Sequence, residues 1–206
     1  GFTLVTDNTL TFTRTVSGTE SGNWQRWANT TGVLNRAAPM LTDIEFDGND
    51  MILGFRDRYG DQVVLPDFYR GYGDIYRACP GGAGFVFENN GVCGSLTTTG
   101  GAANSGNGGR ELYNDLNGDG REEGALGGLT QVPGFNHVVS TFYDPVTFDS
   151  AGNRVSNFYT AGIQRYSNST GQMTGAYDVY IDSDPGNFGK ADGIGDTEVL
   201  CEMPPL

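Results

Sequence analysis

Thr42-Asp-Ile-Glu-Phe-Asp-Gly48-Asn-Asp-Met-Ile-Leu-Gly-Phe55 decides the class of fold. Its first half alternates apolar and acidic residues, as a half-buried strand does. Gly48 and Asn49 supply a tight turn, and residues 51–55 form a second run of strand length. The design recurs at Gly128-Leu-Thr-Gln-Val-Pro-Gly134-Phe-Asn-His-Val-Val-Ser-Thr-Phe142, and a third partial copy begins at Gly195-Asp-Thr-Glu-Val-Leu-Cys201. Gly48 and Gly134 lie about two lengths apart of a ~40–45-residue propeller blade. Further runs rich in β-branched and aromatic residues occur at 2–5, 10–14, 40–46, 62–65, 138–143, 159–166 and 176–181, with a short strand at 85–87. Apolar residues seldom recur at helical spacing, and Gly or Pro interrupts nearly every window. The expectation is an all-β chain of propeller-like blades of antiparallel strands, with a β-sandwich as the alternative. One domain is expected over 1–201. Residues 94–110, rich in Gly, Ser, Thr and Asn, read as an exposed mobile insertion, and 202–206 as the start of a linker.

The net charge of −13 removes several function classes. A basic footprint for nucleic acid is missing, and an anionic lipid surface would repel the chain. No run approaches the ~20 apolar residues of a membrane-spanning helix. His137 is the one imidazole and Lys190 the one lysine, so triads and lysine-based phosphate sites have little material. No nucleophile elbow, phosphate loop or Cys/His zinc spacing is present, and no catalytic residue is assigned. Carboxylates crowd residues 43–67, and Asp43, Glu45 and Asp57 are the first to test if the chain hydrolyses glycosides.

Three cysteines are present. Cys79 and Cys93 flank the short strand at 85–87 between tight turns, a geometry suited to a local disulfide that leaves Cys201 free or buried alone. Low lysine, acidity and Ser/Thr/Gly/Asn richness favour an oxidising, extracellular setting over a cytosolic domain with three buried thiols.

Asp115-Leu-Asn117-Gly-Asp119-Gly-Arg121-Glu-Glu123 places oxygen side chains at alternate positions with glycine at a sharp turn. Leu126 stands where an EF-hand needs its bidentate glutamate, which rejects that motif. What stays open is a structural Ca2+ loop of Asp115, Asn117, Asp119, the Arg121 carbonyl and Glu123, or a solvated turn. A second acidic loop, 182–187 with Asp192 and Asp196, is a weaker version. Trp24 and Trp27, with Tyr69 and Tyr72, supply amphipathic rings for a glycan or a protein interface, or else for packing. Asn29 and Asn168 head N-glycosylation patterns.

Residues 39–48 and 51–61, with 123–129, 159–163 and 189–201, resemble large bacterial surface proteins that carry a propeller-like region followed by serine-aspartate-repeat (SdrD) B-like domains. That resemblance implies a secreted, calcium-stabilised β module at a bacterial surface or in a matrix. Its partners would be other copies or neighbouring domains of the same protein, with glycans as the alternative. No catalytic motif comes with it.

Overall fold

The computed structural model describes residues 4, 6–10, 12, 23–24, 37–58, 73–101, 103, 105–116, 123–146, 150–151, 160–181 and 194–200. Gly48 takes φ +62° and reverses the chain in two residues, so Asp47 pairs with Asp50. This sets β1 (Pro39–Asp47) antiparallel to β2 (Asp50–Asp57). β3 (Asp74–Gly81) and β4 (Gly84–Phe87) continue the meander, giving a sheet of order β1-β2-β3-β4. A small hairpin follows, β5 (Val92–Cys93) and β6 (Leu96–Thr97). β7 (Ala125–Gln131), β8 (His137–Tyr143), β9 (Thr160–Ser167) and β10 (Met173–Ile181) form a second meander in chain order. The chain is all-β, as expected, in an order shared by propeller blades and by the sheets of sandwiches.

The repeat read in the sequence extends into register. Ile52 pairs with Arg77 and Gly54 with Ile75 in the first sheet; Val139 pairs with Arg165 and Thr141 with Ile163 in the second. Gly54-Phe-Arg-Asp57 ends β2, and Thr141-Phe-Tyr143 ends the equivalent β8 with Asp144 just after it.

β2 reads Met-Ile-Leu-Gly-Phe without alternation because both its faces are covered. Ile52 and Ile75 join Leu129, Val138, Phe142 and Tyr166 in the core between the sheets. Met51, Leu53, Phe55 and Tyr76 face the other way, onto Trp24 and Ala37. Each such buried large side chain contributes roughly 1.5–3 kcal/mol. Between the sheets the backbones come close: Gly73 N donates to Ala125 O at 2.8 Å, and the Thr42 hydroxyl lies 3.1 Å from Gly54 O and 3.0 Å from Gly127 O.

β3 escapes sequence reading because Asp74 and Arg77 break its apolar run and Pro80-Gly81 resembles a loop. Arg77 is nonetheless buried. Its guanidinium reaches Asp47 at 2.6 Å and Asp50 at 2.8 Å, and donates to the Tyr113 hydroxyl at 3.3 Å. Cys79 of β3 and Cys93 of β5 are joined, with Cα atoms 5.6 Å apart. Cys201, the run at 62–65 and the tail 202–206 lie outside the described residues.

Residues 94–110, read as an exposed mobile insertion, are exposed at most of their described positions but are anchored at a few. Thr98 and Ser105 are buried, and the Thr98 hydroxyl lies 2.8 Å from Leu112 O and 2.7 Å from Thr170 O. Some of the glycines there serve close approach. A Cβ on Gly101 would stand 1.9 Å from Glu111 O.

Candidate metal centre

Five carboxylates converge where the 98–116 segment meets both sheets. Asp74 opens β3, Glu88 follows β4, Glu111 and Asp115 belong to the connection, and Glu123 stands two residues before β7. None is more than 1% exposed. Asp74, Glu111 and Glu123 each offer a carboxylate oxygen, and these atoms all lie within 4.8 Å of one another.

A set of oriented donors holds the acids. Ser105 Oγ donates to Glu111 Oε2 at 3.0 Å and Leu112 N to Glu88 Oε2 at 3.0 Å. The Tyr76 hydroxyl donates to Asp74 Oδ2, and Trp24 Nε1 donates to the Tyr76 oxygen at 3.2 Å. Among the described residues, the second oxygens of Glu88 and Glu111 are buried with no hydrogen-bond partner. Burial pushes the Glu111 carboxyl well above the usual range, and the charges of Glu123, Asp74, Asp115 and Glu88 add to it. Glu88 rises for the same reasons, through burial and then Asp74. Five acids in so dry a place have two physical solutions, protons or a cation. Their all-oxygen donor set suits a hard divalent ion.

Of the expected calcium loop, Asp115 and Glu123 are in this cluster, and their backbones close on one another through Gly124 N to Asp115 O at 2.9 Å. Asn117, Asp119 and Arg121 lie outside the described residues, as do Trp27, Tyr69, Tyr72 and Asn29. Asp74, Glu88 and Glu111 carried no signal, being far apart in sequence and in no motif.

Trp24, a candidate interaction ring, is instead 1% exposed, its ring centroid 6.4 Å from that of Phe55. It is a core residue because its one polar atom finds partners inside. Asn168 is 2% exposed, and its amide donates to Gln131 Oε1 at 2.8 Å, so in the folded chain it offers no glycosylation acceptor. The three carboxylates kept for glycoside chemistry serve backbone donors. Asp57 accepts from Ala38 N at 2.9 Å, and Asp43 accepts from Leu129 N and Ile44 N, each at 2.7 Å. Glu45 lies near the Gln131 backbone, whose pull lowers its carboxyl pKa, so Asp43 and Glu45 both face the outer strand β7.

Burial raises the Asp43 and Glu45 carboxyls, outweighing those donors, and Asp196 and Glu198 push the same way. A raised folded value means the native chain binds more protons than the unfolded one. Stability from these groups is therefore fullest below the unfolded carboxylate range and declines as pH rises through the raised values. Asp43→Asn, which keeps an acceptor for Leu129 N, should gain relative to the parent at pH 7.5 compared with pH 5. Solvent screening holds the gain to less than about 1 kcal/mol. Urea midpoints at the two pH values check it; an equal offset at both contradicts the sign.

Fold and cluster together define a class: an all-β chain of two antiparallel meanders, tied by a disulfide and closed over buried carboxylates. No family model matches the chain and no solved structure matches it. It is 32% identical to Colossin-A of Dictyostelium discoideum over 203 residues, 90% of this chain, and 31% identical to Colossin-D of the same organism over 198 residues, 87% of the chain. It spans 2% of Colossin-A and 19% of Colossin-D. These matches correct the expected likeness to bacterial surface proteins with SdrD B-like domains, since Dictyostelium is a eukaryote and no family model supports those domains. The bacterial cell surface falls with it. The misreading came from short Asp/Gly turn motifs, which many β-rich chains share. The disulfide fits an oxidising, extracellular setting.

Proposed function

We propose that the chain is a non-catalytic structural module of an extracellular protein, acting by packing its sheets onto further sheets of the same kind. One observation carries this reading. The outer face of the second sheet places Val139 and Ile163 in the register positions that Ile52 and Ile75 hold in the first. In the first sheet Ile52 and Ile75 are fully buried in the core shared with the second. In the second the outer face forms an open groove of about 390 Å3, lined by Val139, Ile163, Arg165, Ala176 and Tyr177. Tyr177 beside it is 66% exposed, and Val179 56%.

The occupant that fits is a sheet of this repeat, in a neighbouring unit of a longer chain or in another copy. Packing is by face rather than by edge. The outer strands carry bulges, at 41–43 in β1 and at 173–175 and 178–180 in β10, which twist their hydrogen-bonding edges away from flat pairing. Adhesion follows from the same surface, whose apolar side chains are arranged to meet protein.

Light scattering over a concentration series tests this. The parent should self-associate as concentration rises, and Ile163→Lys should stay monomeric with an unchanged circular dichroism spectrum. A strictly monomeric parent that releases reducing sugar from polysaccharides, and loses that activity on Asp→Asn change at Asp43 or Asp57 or on Glu45→Gln, would establish the carbohydrate-active alternative.

A further inference from the structure

We propose that Asp74, Glu111 and Glu123 bind a calcium ion between the two sheets, with Glu88 and Asp115 beside it. Oxygen ligands sit about 2.3–2.6 Å from Ca2+, so two on opposite sides of one ion are separated by roughly 4.6–5.2 Å. Three carboxylate oxygens that all lie within 4.8 Å of one another fit on one such sphere with little movement. The buried second oxygens of Glu111 and Glu88, which find no hydrogen-bond donor among the described residues, are the independent sign of a missing positive partner. A native chain seldom leaves such atoms dry, and a cation among them supplies what no donor does.

The donor set decides which ion. All five side chains are carboxylates, no thiolate or imidazole is among them, and the one histidine, His137, opens β8. Zinc would look for nitrogen or sulfur. Magnesium keeps several waters in a strict octahedron and suits a crowded, dry, carboxylate-rich pocket less well than calcium, whose coordination is larger and more flexible. Ser105, Leu112 N, Tyr76 and Trp24 already hold one oxygen of Glu111, Glu88 and Asp74, which fixes the carboxylates before the ion arrives.

The ion would tie three parts of the chain that are distant in sequence. Asp74 opens β3 and Glu88 follows β4 of the first sheet, Glu111 and Asp115 belong to the connection, and Glu123 to the entry of β7. The glycine-rich stretch builds its wall. Gly106 has φ +76°, and a Cβ there would stand 2.4 Å from Glu111 Cγ, so only glycine lets the chain pass over that glutamate. Such a site is a structural tie, and it stands independently of whether the outer sheet face packs onto another sheet.

The test uses the whole chain stripped with chelator and dialysed free of metal. Titration calorimetry with CaCl2 should show one ion bound per chain, and calcium at about a hundred times its Kd should raise the melting temperature by roughly 5–10 °C. Magnesium at the same concentration should give less than half that rise. Glu111→Gln should weaken calcium at least tenfold, yet in chelator it should melt at or above the parent, because the amide keeps an acceptor for Ser105 and takes away an acid whose ionisation the buried cluster opposes. A merely structural glutamate would lower the melting temperature in both buffers. No calcium heat and an unmoved melting temperature overturn the proposal, as does calcium binding that survives Glu111→Gln but is lost with Asp119→Ala, which would place the ion in the 117–122 loop alone. Equal stabilisation by magnesium overturns the assignment to calcium.

Discussion

Gly54→Ala is expected to lower the melting temperature by roughly 6–12 °C, corresponding to about 3 kcal/mol in a domain of this size. A Cβ at residue 54 would stand 2.2 Å from the carbonyl oxygen of Gly127 and 3.1 Å from Leu129 Cγ. The first obstacle is backbone, held by the second sheet, and cannot rotate away. The sheets must separate by about an ångström, and the core of Ile52, Ile75, Leu129 and Val138 loses contact along the seam. The sign is diagnostic. Gly54 has an ordinary strand conformation, so in a sheet with nothing above it alanine would be neutral or stabilising by roughly 0.5–1 kcal/mol. Thermal unfolding followed by circular dichroism reads the result, and an unchanged or higher melting temperature would mean that the two meanders do not pack through β2 and β7. Gly48→Ala is the comparison. It has φ +62° but open space around it, so its cost is turn strain alone, about 1 kcal/mol.

The seam explains what was and was not legible in the sequence. The hairpin of β1 and β2 is visible because its information is local: alternation in 42–46, a two-residue turn at Gly48-Asn49, and an apolar run after it. Its repeat at 128–142 is visible for the same reason. β3 is invisible because it is buried on both faces and spends two of its positions on Asp74, which accepts from Trp24, and Arg77, which pairs with Asp50 of β2. A local pattern cannot report partners that arrive from elsewhere in the fold. Glycine is ambiguous in the same way. The 94–110 stretch has the composition of a linker, yet Gly101 and Gly106 are there so that backbone can press against Glu111.

The carboxylate cluster divides along the same line. Asp115 and Glu123 could be proposed from the Asp-x-Asn-x-Asp-Gly pattern, whose spacing is the signal. Asp74, Glu88 and Glu111 meet them only because β3, β4 and the connection fold together, and nothing in the immediate neighbours of any of the three marks it. Charge gives a global hint without an address: a chain of net charge −13 that buries five acids is acting against its own electrostatics at that place. The resemblance to bacterial surface proteins failed on the opposite ground, taking short turn motifs, which any meander needs, as marks of descent.

The second large effect is expected at the disulfide. Replacing Cys79 and Cys93 together by alanine should cost roughly 3 kcal/mol, since the bond closes a loop of sequence separation 14. Both sulfurs are buried in the core between the sheets, at 4% and 3% exposure, so alanine avoids burying a new polar group. The loss should exceed chain entropy in one respect. β5 and β6 are only two residues each, too short to persist as a hairpin without an anchor, and the bond from β3 is that anchor. Beyond the hairpin lies the segment with Thr98, Ser105, Glu111 and Asp115, so loosening the first loosens the wall of the carboxylate cluster. The double variant should therefore melt roughly 6–12 °C lower, and any calcium affinity should fall with it. Reductant should bring the parent to the same melting temperature and leave the variant unmoved. If the reduced parent melts where the oxidised one does, the bond adds nothing to the fold and the β5–β6 hairpin is held by packing alone.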